Sequence, residues 1–178
     1  MKQQKQHNHK IINDDVKIIS NIKTRLIVIF ELARYVCVSF GFFLSYQPNV
    51  TATEILNTLL LLVVIPLAGL TGLEAIFIGA ASAKAKKREI GSTYQTQSGL
   101  NNLSTAITAW LVWYLQWGKQ ASLTVLFVLL TFLILSSMVH TYEYFIKKNK
   151  QLIHLIRPLL TTGLILACIP LIIRTLSS

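Results

Sequence analysis

Charge is what this sequence has least of. Only 13% of its 178 residues are charged, and just 7 residues are acidic. A soluble domain carries about 25% charged residues, so this chain cannot cover a water-facing surface. Hydrophobic residues make up 53% of the sequence, which is far more than a disordered chain contains. The composition therefore excludes both a soluble globular protein and an intrinsically disordered one.

Cysteine is equally scarce. Cys37 and Cys168 lie far apart, each inside an apolar stretch, so they form neither a disulfide framework nor a cysteine-based metal motif. Phosphate-binding loops, nucleophile elbows and zinc-protease helices are absent from the sequence as well. These absences predict a protein without a cofactor or catalytic residues, and they favour a protein that is not an enzyme.

Long apolar stretches are what the sequence has instead. A helix needs about 20 apolar residues to cross a bilayer, and five stretches reach about that length. We predict an all-α, polytopic transmembrane helix bundle with five spans, which cover residues 26–46, 55–81, 99–117, 123–145 and 155–173.

The basic residues alternate between the connections of this bundle. Most of the 17 Lys and Arg residues lie in the N-terminal arm and in the connections after the second and fourth spans. Because short basic loops stay in the cytoplasm, the pattern predicts a cytoplasmic N-terminus and, after five spans, a C-terminus outside. The net charge of +10 then sets orientation in a bacterial inner membrane, and we expect no nucleic-acid partner.

A polar cytoplasmic arm, residues 1–24, precedes the bundle of residues 25–178. Asn13 can cap a short helix whose apolar face carries Val16 and Ile19, with lysines beside them. A basic amphipathic helix of this kind lies on an anionic membrane surface. We therefore predict a short interfacial helix in the arm, in contact with anionic lipids of the inner leaflet.

Polar side chains inside the spans are the functional candidates, because a charge at the bilayer centre costs at least ~2.5–3.5 kcal/mol. The predicted membrane topology places all of them in the cytoplasmic half of the membrane. We predict that they line a ligand-binding pocket, and the candidates are Glu31, Arg34, Glu74, Gln97, Asn101, Asn102, His140, Glu143 and Arg157.

Helical spacing predicts which of these groups pair. Glu31 and Arg34 are three residues apart and can form an intrahelical ion pair, and His140 and Glu143 share that spacing. Glu74 has no such partner in its own helix, so we expect it to point into a cavity. Together these groups supply only half the ligands of a carboxylate-bridged bundle, and the charge of Arg34 opposes a cation. We therefore predict no metal site.

Two stripes of residues also have helical spacing. The first is polar, with steps of four, three and four residues, and it consists of Gln97, Asn101, Ser104 and Thr108. Because its amides need hydrogen-bond partners, this stripe should face protein rather than lipid. The second has small side chains that allow helix backbones to approach closely, and it consists of Ala68, Gly72, Ala75, Gly79 and Ser82. Pro66 predicts a kink in the same span.

Two short motifs carry a family resemblance. Gly72-Leu73-Glu74-Ala75 precedes a basic connection, and Gln97-Ser98-Gly99-Leu100-Asn101-Asn102 opens the next span. Over residues 55–175 this order resembles a family of small four-span bacterial membrane proteins, domain-of-unknown-function family 1304, and more loosely the DoxX-like proteins. Glu74, Gly99, Leu100 and Asn102 match the family's pattern, whereas Ala75, Gln97-Ser98 and Asn101 depart from it. The resemblance implies where Glu74 and the amides lie in the spans. It implies no activity, because the family has no established reaction.

The sequence thus predicts a small multi-pass inner-membrane protein. It binds or passes a small ligand or lipid through a polar pocket in the cytoplasmic half, or it serves as the membrane subunit of a partner protein. The alternative is an intramembrane enzyme or redox accessory that uses Glu74, His140 and Glu143 for proton transfer. That alternative requires the three side chains within hydrogen-bond reach of one cavity. A structural role is also open, in which the polar side chains hold the bundle together, each is paired off and no cavity remains.

Overall fold

The computed structural model describes the backbone of residues 2–85, 93–148 and 150–177, and the side chains of residues 21–83, 93, 95–148 and 150–177. Within these ranges the chain is all-helical and has no strand, which confirms the all-α part of the predicted fold class. The helices are α1 (Lys2–Ser45), α2 (Ala52–Phe77), α3 (Gly79–Ala85), α4 (Thr93–Tyr114), α5 (Lys119–Phe145) and α6 (Ile153–Leu176).

Four helical segments of the described chain are long and apolar enough to cross a membrane. They are Asn21–Ser45 within α1 and the helices α2, α5 and α6, and they correspond to the first, second, fourth and fifth predicted spans. The third predicted span is α4, a helix of 22 residues that is not among these four because amides and hydroxyls crowd its first half. The described residues therefore form an all-helical bundle with four candidate membrane-spanning helices.

Helix α1 is longer than the predicted first span. It runs without a break over 44 residues, so the backbone of the arm continues into the span and does not form a separate short helix. The side chains of residues 1–20, and with them the expected lipid contacts of the arm, lie outside the described residues. The same is true of the basic connection that contains Lys86, Lys87 and Arg88.

Helix α2 has three parts and lies at the centre of the bundle. It begins as an α-helix over Ala52–Leu59, continues as a π-helical stretch over Leu60–Gly69, and ends as an α-helix over Leu70–Phe77. Pro66, which has no N–H to donate, lies inside the π-helical stretch. A π-helical stretch departs from the regular α-helix in a way that can accompany a kink, and the kink predicted from Pro66 stays a prediction.

The hydrophobic core surrounds this stretch, because α2 contacts α1, α4, α5 and α6. Its fully buried side chains include Leu59, Val63, Ala109 and Leu126. The outer faces of the helices expose large apolar side chains such as Leu159, as expected for surfaces in contact with lipid.

Contacts between helix ends define two ends of the bundle. Tyr46 Oη donates to an α6 carbonyl at 2.7 Å, and Arg174, near the end of α6, donates to Val50 O at 2.7 Å. The start of α2 also lies beside the loop at Gly118, because residues of both line one small cleft. We call this the Gly118 end. At the opposite end, the Arg157 end, α4 and α6 begin and α5 finishes.

Candidate functional site

The first group of candidate residues joins α1 to α2 and α3. Arg34 Nη1 lies 3.0 Å from Glu31 Oε2, which confirms the predicted intrahelical pair. Arg34 Nη2 pairs with Glu74 Oε2 and donates to Leu70 O at 3.2 Å. Ser82 donates to the other oxygen of Glu74. We call Glu31, Arg34, Glu74 and Ser82 the Arg34 cluster.

Burial explains why these two charges meet. Arg34 and Glu74 expose only 7% and 5% of their surface, and buried charges are tolerated when they are paired and hydrogen-bonded. Glu74 therefore points at α1 and not into a cavity, as its spacing had suggested. Helical spacing reveals only partners in the same helix, and the useful signal was a basic residue at similar depth in the neighbouring span.

The second group lies where α2 and α4 meet. Gly72 approaches α4 so closely that a Cβ atom there would lie 2.8 Å from Gly99 O, so the small-residue stripe does serve close packing. Asn102 is buried beside this contact and donates to Ser98 O at 2.9 Å. Gln95, which is not among the predicted site residues, donates to Gly79 O at 2.8 Å and connects α4 to α3.

The polar stripe of α4 lies elsewhere. Gln97, Asn101, Ser104 and Thr108 are all exposed on the surface of the single chain. The expectation that this stripe packs against protein within the bundle is therefore not met by one copy of the chain. Ser104 Oγ donates to Asn101 O in its own helix at 2.9 Å, which satisfies its hydroxyl hydrogen locally.

The third group joins α5 to α6 at the Arg157 end. His140 Nδ1 lies 2.8 Å from His154 Nδ1, and His140 Nε2 lies 3.1 Å from Arg157 Nη1. Because a guanidinium can only donate, His140 Nε2 accepts, and the ring carries its hydrogen on Nδ1 and donates it to His154. Both rings are then neutral, and Arg157 supplies the positive charge. His154 was not predicted, although it stands at the entry of the last span.

Glu143 forms its ion pair with Lys147. Its three-residue spacing from His140 also predicts a pair with that ring, and the structure shows no hydrogen bond between the two described side chains. Glu143 Oε1 accepts from Lys147 Nζ at 2.7 Å, and this hydrogen bond raises the pKa of Lys147. Lys150 Nζ lies 4.1 Å from the centre of the Tyr144 ring. Because Glu143 is the only acidic residue of segment 140–157, which also contains Lys147, Lys148, Lys150 and Arg157, this end of α5 and α6 keeps an excess of positive charge.

A groove of about 400 Å³ lies between α5 and α6. Five of its eight lining residues carry hydroxyls, and the full set is Ile134, Ser137, Met138, Thr141, Tyr142, Thr161, Thr162 and Ile165. Ser137 is three residues from His140, and Thr161 is four residues from Arg157, so each pair shares a helix face. The groove, which we call the α5–α6 groove, therefore leads towards the third group.

These groups do not assemble into a metal centre in the part of the chain that the structure describes, where no set of three His, Cys, Asp or Glu residues could hold an ion. Comparisons with known proteins found no matching family model, no matching curated protein and no matching solved structure. The resemblance to domain-of-unknown-function family 1304 therefore stays a prediction.

Proposed function

We propose that the protein crosses a bacterial inner membrane five times, with the Arg157 end in the cytoplasm. The support for α4 as the additional span is that it runs between the two ends of the bundle, packs along α2 and exposes Leu100, Ile107 and Trp110 on a surface suited to lipid. The orientation follows from the excess of lysine after α5 at the Arg157 end, because short basic loops stay in the cytoplasm.

Cysteine labelling tests this topology. In a chain with Cys37→Ala and Cys168→Ala, we expect a membrane-impermeant maleimide to label Gln120→Cys on intact cells, and Lys150→Cys only after permeabilisation. Both positions are exposed, so access depends on the side of the membrane alone. Thr53→Cys, also exposed, should react from outside whether or not α4 crosses. If α4 does not cross, Gln120→Cys and Lys150→Cys exchange behaviour, and the five-span proposal is wrong.

Within this topology, we propose that the protein binds an anionic phospholipid in the α5–α6 groove. The observation that carries the proposal is the position of the groove, which runs from the apolar side chains of Ile134 and Ile165 towards the end of the bundle that holds Arg157. Acyl chains fit the apolar part, and hydroxyls such as Thr161 suit the glycerol region. Basic pockets between helices on the cytoplasmic side are known to bind anionic headgroups.

The charge at the end of the groove selects for phosphate. A guanidinium binds phosphate through parallel hydrogen bonds, and Arg157 is oriented by its contact with His140 at 3.1 Å. The histidine rings carry no charge in the observed hydrogen-bond pattern. An anionic headgroup therefore meets one fixed cation and the unpaired lysine charge that follows α5.

The arrangement favours binding over proton transfer. The alternative enzyme would use Glu74, His140 and Glu143 at one cavity, but Glu74 contacts Arg34 and Ser82, whereas His140 contacts His154 on α6. Glu143 in turn pairs with Lys147. In this reading the Arg34 cluster holds the bundle together, and the α5–α6 groove is the site that takes a ligand.

Lipid binding can be measured on the purified protein in mild detergent. We expect short-chain phosphatidylglycerol to raise the melting temperature of the unsubstituted protein more than short-chain phosphatidylcholine does. Arg157→Gln should weaken phosphatidylglycerol binding by about tenfold or more, because a hydrogen bond to a charged group contributes about 1.5–3 kcal/mol. Arg174→Gln removes the same charge at the other end of α6 and should keep normal binding.

Two outcomes would contradict the proposal. One is a phosphatidylglycerol effect that survives in Arg157→Gln, and the other is an equal loss in Arg174→Gln, which would indicate a general effect of net charge. Inorganic phosphate forms a separate arm of the experiment. If phosphate alone reproduces the shift at comparable concentration, the acyl chains contribute nothing and the ligand is not a lipid.

A further inference from the structure

The polar stripe of α4, defined above as Gln97, Asn101, Ser104 and Thr108, is exposed in the single chain. The side-chain amides of Gln97 and Asn101 make no hydrogen bond within the part of the chain that the structure describes. Each amide offers two donors and an acceptor. A surface of this kind is unremarkable in water, but it is costly in contact with lipid.

In the five-span topology proposed above, the stripe lies at lipid depth. It covers 11 residues after its first, or about 16 Å along the helix axis, and Thr108 lies about 22 Å beyond the start of α4 at Thr93. Exposed Leu100 and Ile107 occupy the adjoining face of α4. If α4 spans the membrane, as proposed above and as this inference requires, the stripe must be covered by another protein surface.

The spacing of the stripe fits a helix as the covering element. Steps of four, three and four residues reproduce the a and d positions of a heptad, which form the seam between two helices that cross at a small angle. Leu111, which is half-buried, lies three residues after Thr108 and therefore continues the same seam. Helices α2 and α5, on which α4 packs within the chain, occupy other faces of α4.

We propose that the stripe is a homodimer interface, in which α4 packs against α4 of a second copy about a two-fold axis along the membrane normal. Such an axis places each stripe residue opposite its own copy. Only side chains that both donate and accept can hydrogen-bond with themselves, and amides and hydroxyls do so. All four stripe residues belong to these two types, and none carries a charge that would repel its own copy.

Disulfide trapping in native membranes tests the interface. In the full chain with Cys37→Ala and Cys168→Ala, we expect Ser104→Cys to form a covalent dimer under mild oxidation. The substitution is small and leaves both amides in place. Ile107→Cys is the matched control, because it lies at similar depth on the adjoining exposed face of α4 and should give little dimer.

The mass of the detergent-solubilised protein provides a second measurement. We expect the unsubstituted chain to be a dimer, and the dissociation constant to rise about tenfold for each amide removed in Gln97→Leu and Asn101→Leu. Leu100→Ala, on the adjoining face, should leave the dimer unchanged. The absence of a covalent Ser104→Cys dimer would overturn the proposal, and so would a monomeric unsubstituted chain or a cross-link from Ser104→Cys to a different protein.

The same cysteine separates this proposal from the topology on which it depends. If an impermeant maleimide labels Ser104→Cys in intact or permeabilised cells, α4 is in water and the five-span placement fails. If Ser104→Cys is protected and still yields no dimer, α4 lies in the membrane and the homodimer alone is wrong.

Discussion

Replacing Arg34 with methionine should destabilise the protein by about 3–5 kcal/mol, the usual effect of removing one partner of a buried ion pair. The variant keeps a long side chain in α1 but removes the guanidinium that pairs with Glu74, which is only 5% exposed. It also removes the hydrogen bond to Leu70 O. The free energy of unfolding can be measured by denaturant titration in mild detergent.

Two further variants show whether burial is the cause. Glu31→Gln affects the same guanidinium, but the Glu31 side chain is 33% exposed, so we expect a loss of no more than about 1 kcal/mol. The double variant Arg34→Met, Glu74→Met replaces the pair with apolar side chains, and such replacements are often neutral. It should therefore be more stable than Arg34→Met alone. If the second substitution adds to the damage instead, the pair is not a coupled unit.

The predictions that held depend on properties that the sequence carries locally. Length and apolar composition predict the four helices that are long and apolar enough to span a membrane, and three-residue spacing predicts the Glu31–Arg34 pair. The small side chains around Gly72 similarly indicate a close helix contact, which the structure has at Gly99. Each of these inferences needs only one helix and its own periodicity.

The predictions that changed concern contacts between helices. The partner of Glu74 lies 40 residues away in α1, and His154 meets His140 from the next helix. Neither contact can be read from periodicity, because the rotation of one helix against another is decided by packing. The polar stripe of α4 shows a different limit, since its spacing predicts packing against protein, whereas its amides are exposed in the single chain.

A second large effect is expected at Gly72. A Cβ atom at this position would lie 2.8 Å from both Gly99 O and Leu103 N, and these are backbone atoms of α4 that no rotamer change can move. Gly72→Ala should therefore push α4 away from α2 and cost about 2–3 kcal/mol, in the range known for overpacked cores. Gly72→Val should be worse, because it adds branched bulk at the same place. The measurement is again the free energy of unfolding in detergent.

The other helical glycines make this a graded test. Gly163 in α6 has no atom within 4 Å of an added Cβ, so Gly163→Ala should be neutral or stabilising by up to about 1 kcal/mol, as alanine favours helix. Gly69 is intermediate, because its Cβ would lie 3.3 Å from Ala106 Cβ. We expect stability to fall in the order Gly163→Ala, Gly69→Ala, Gly72→Ala. If Gly72→Ala is as stable as Gly163→Ala, the α2–α4 contact is looser than described, and the face of α4 that carries the polar stripe would no longer be fixed relative to the bundle.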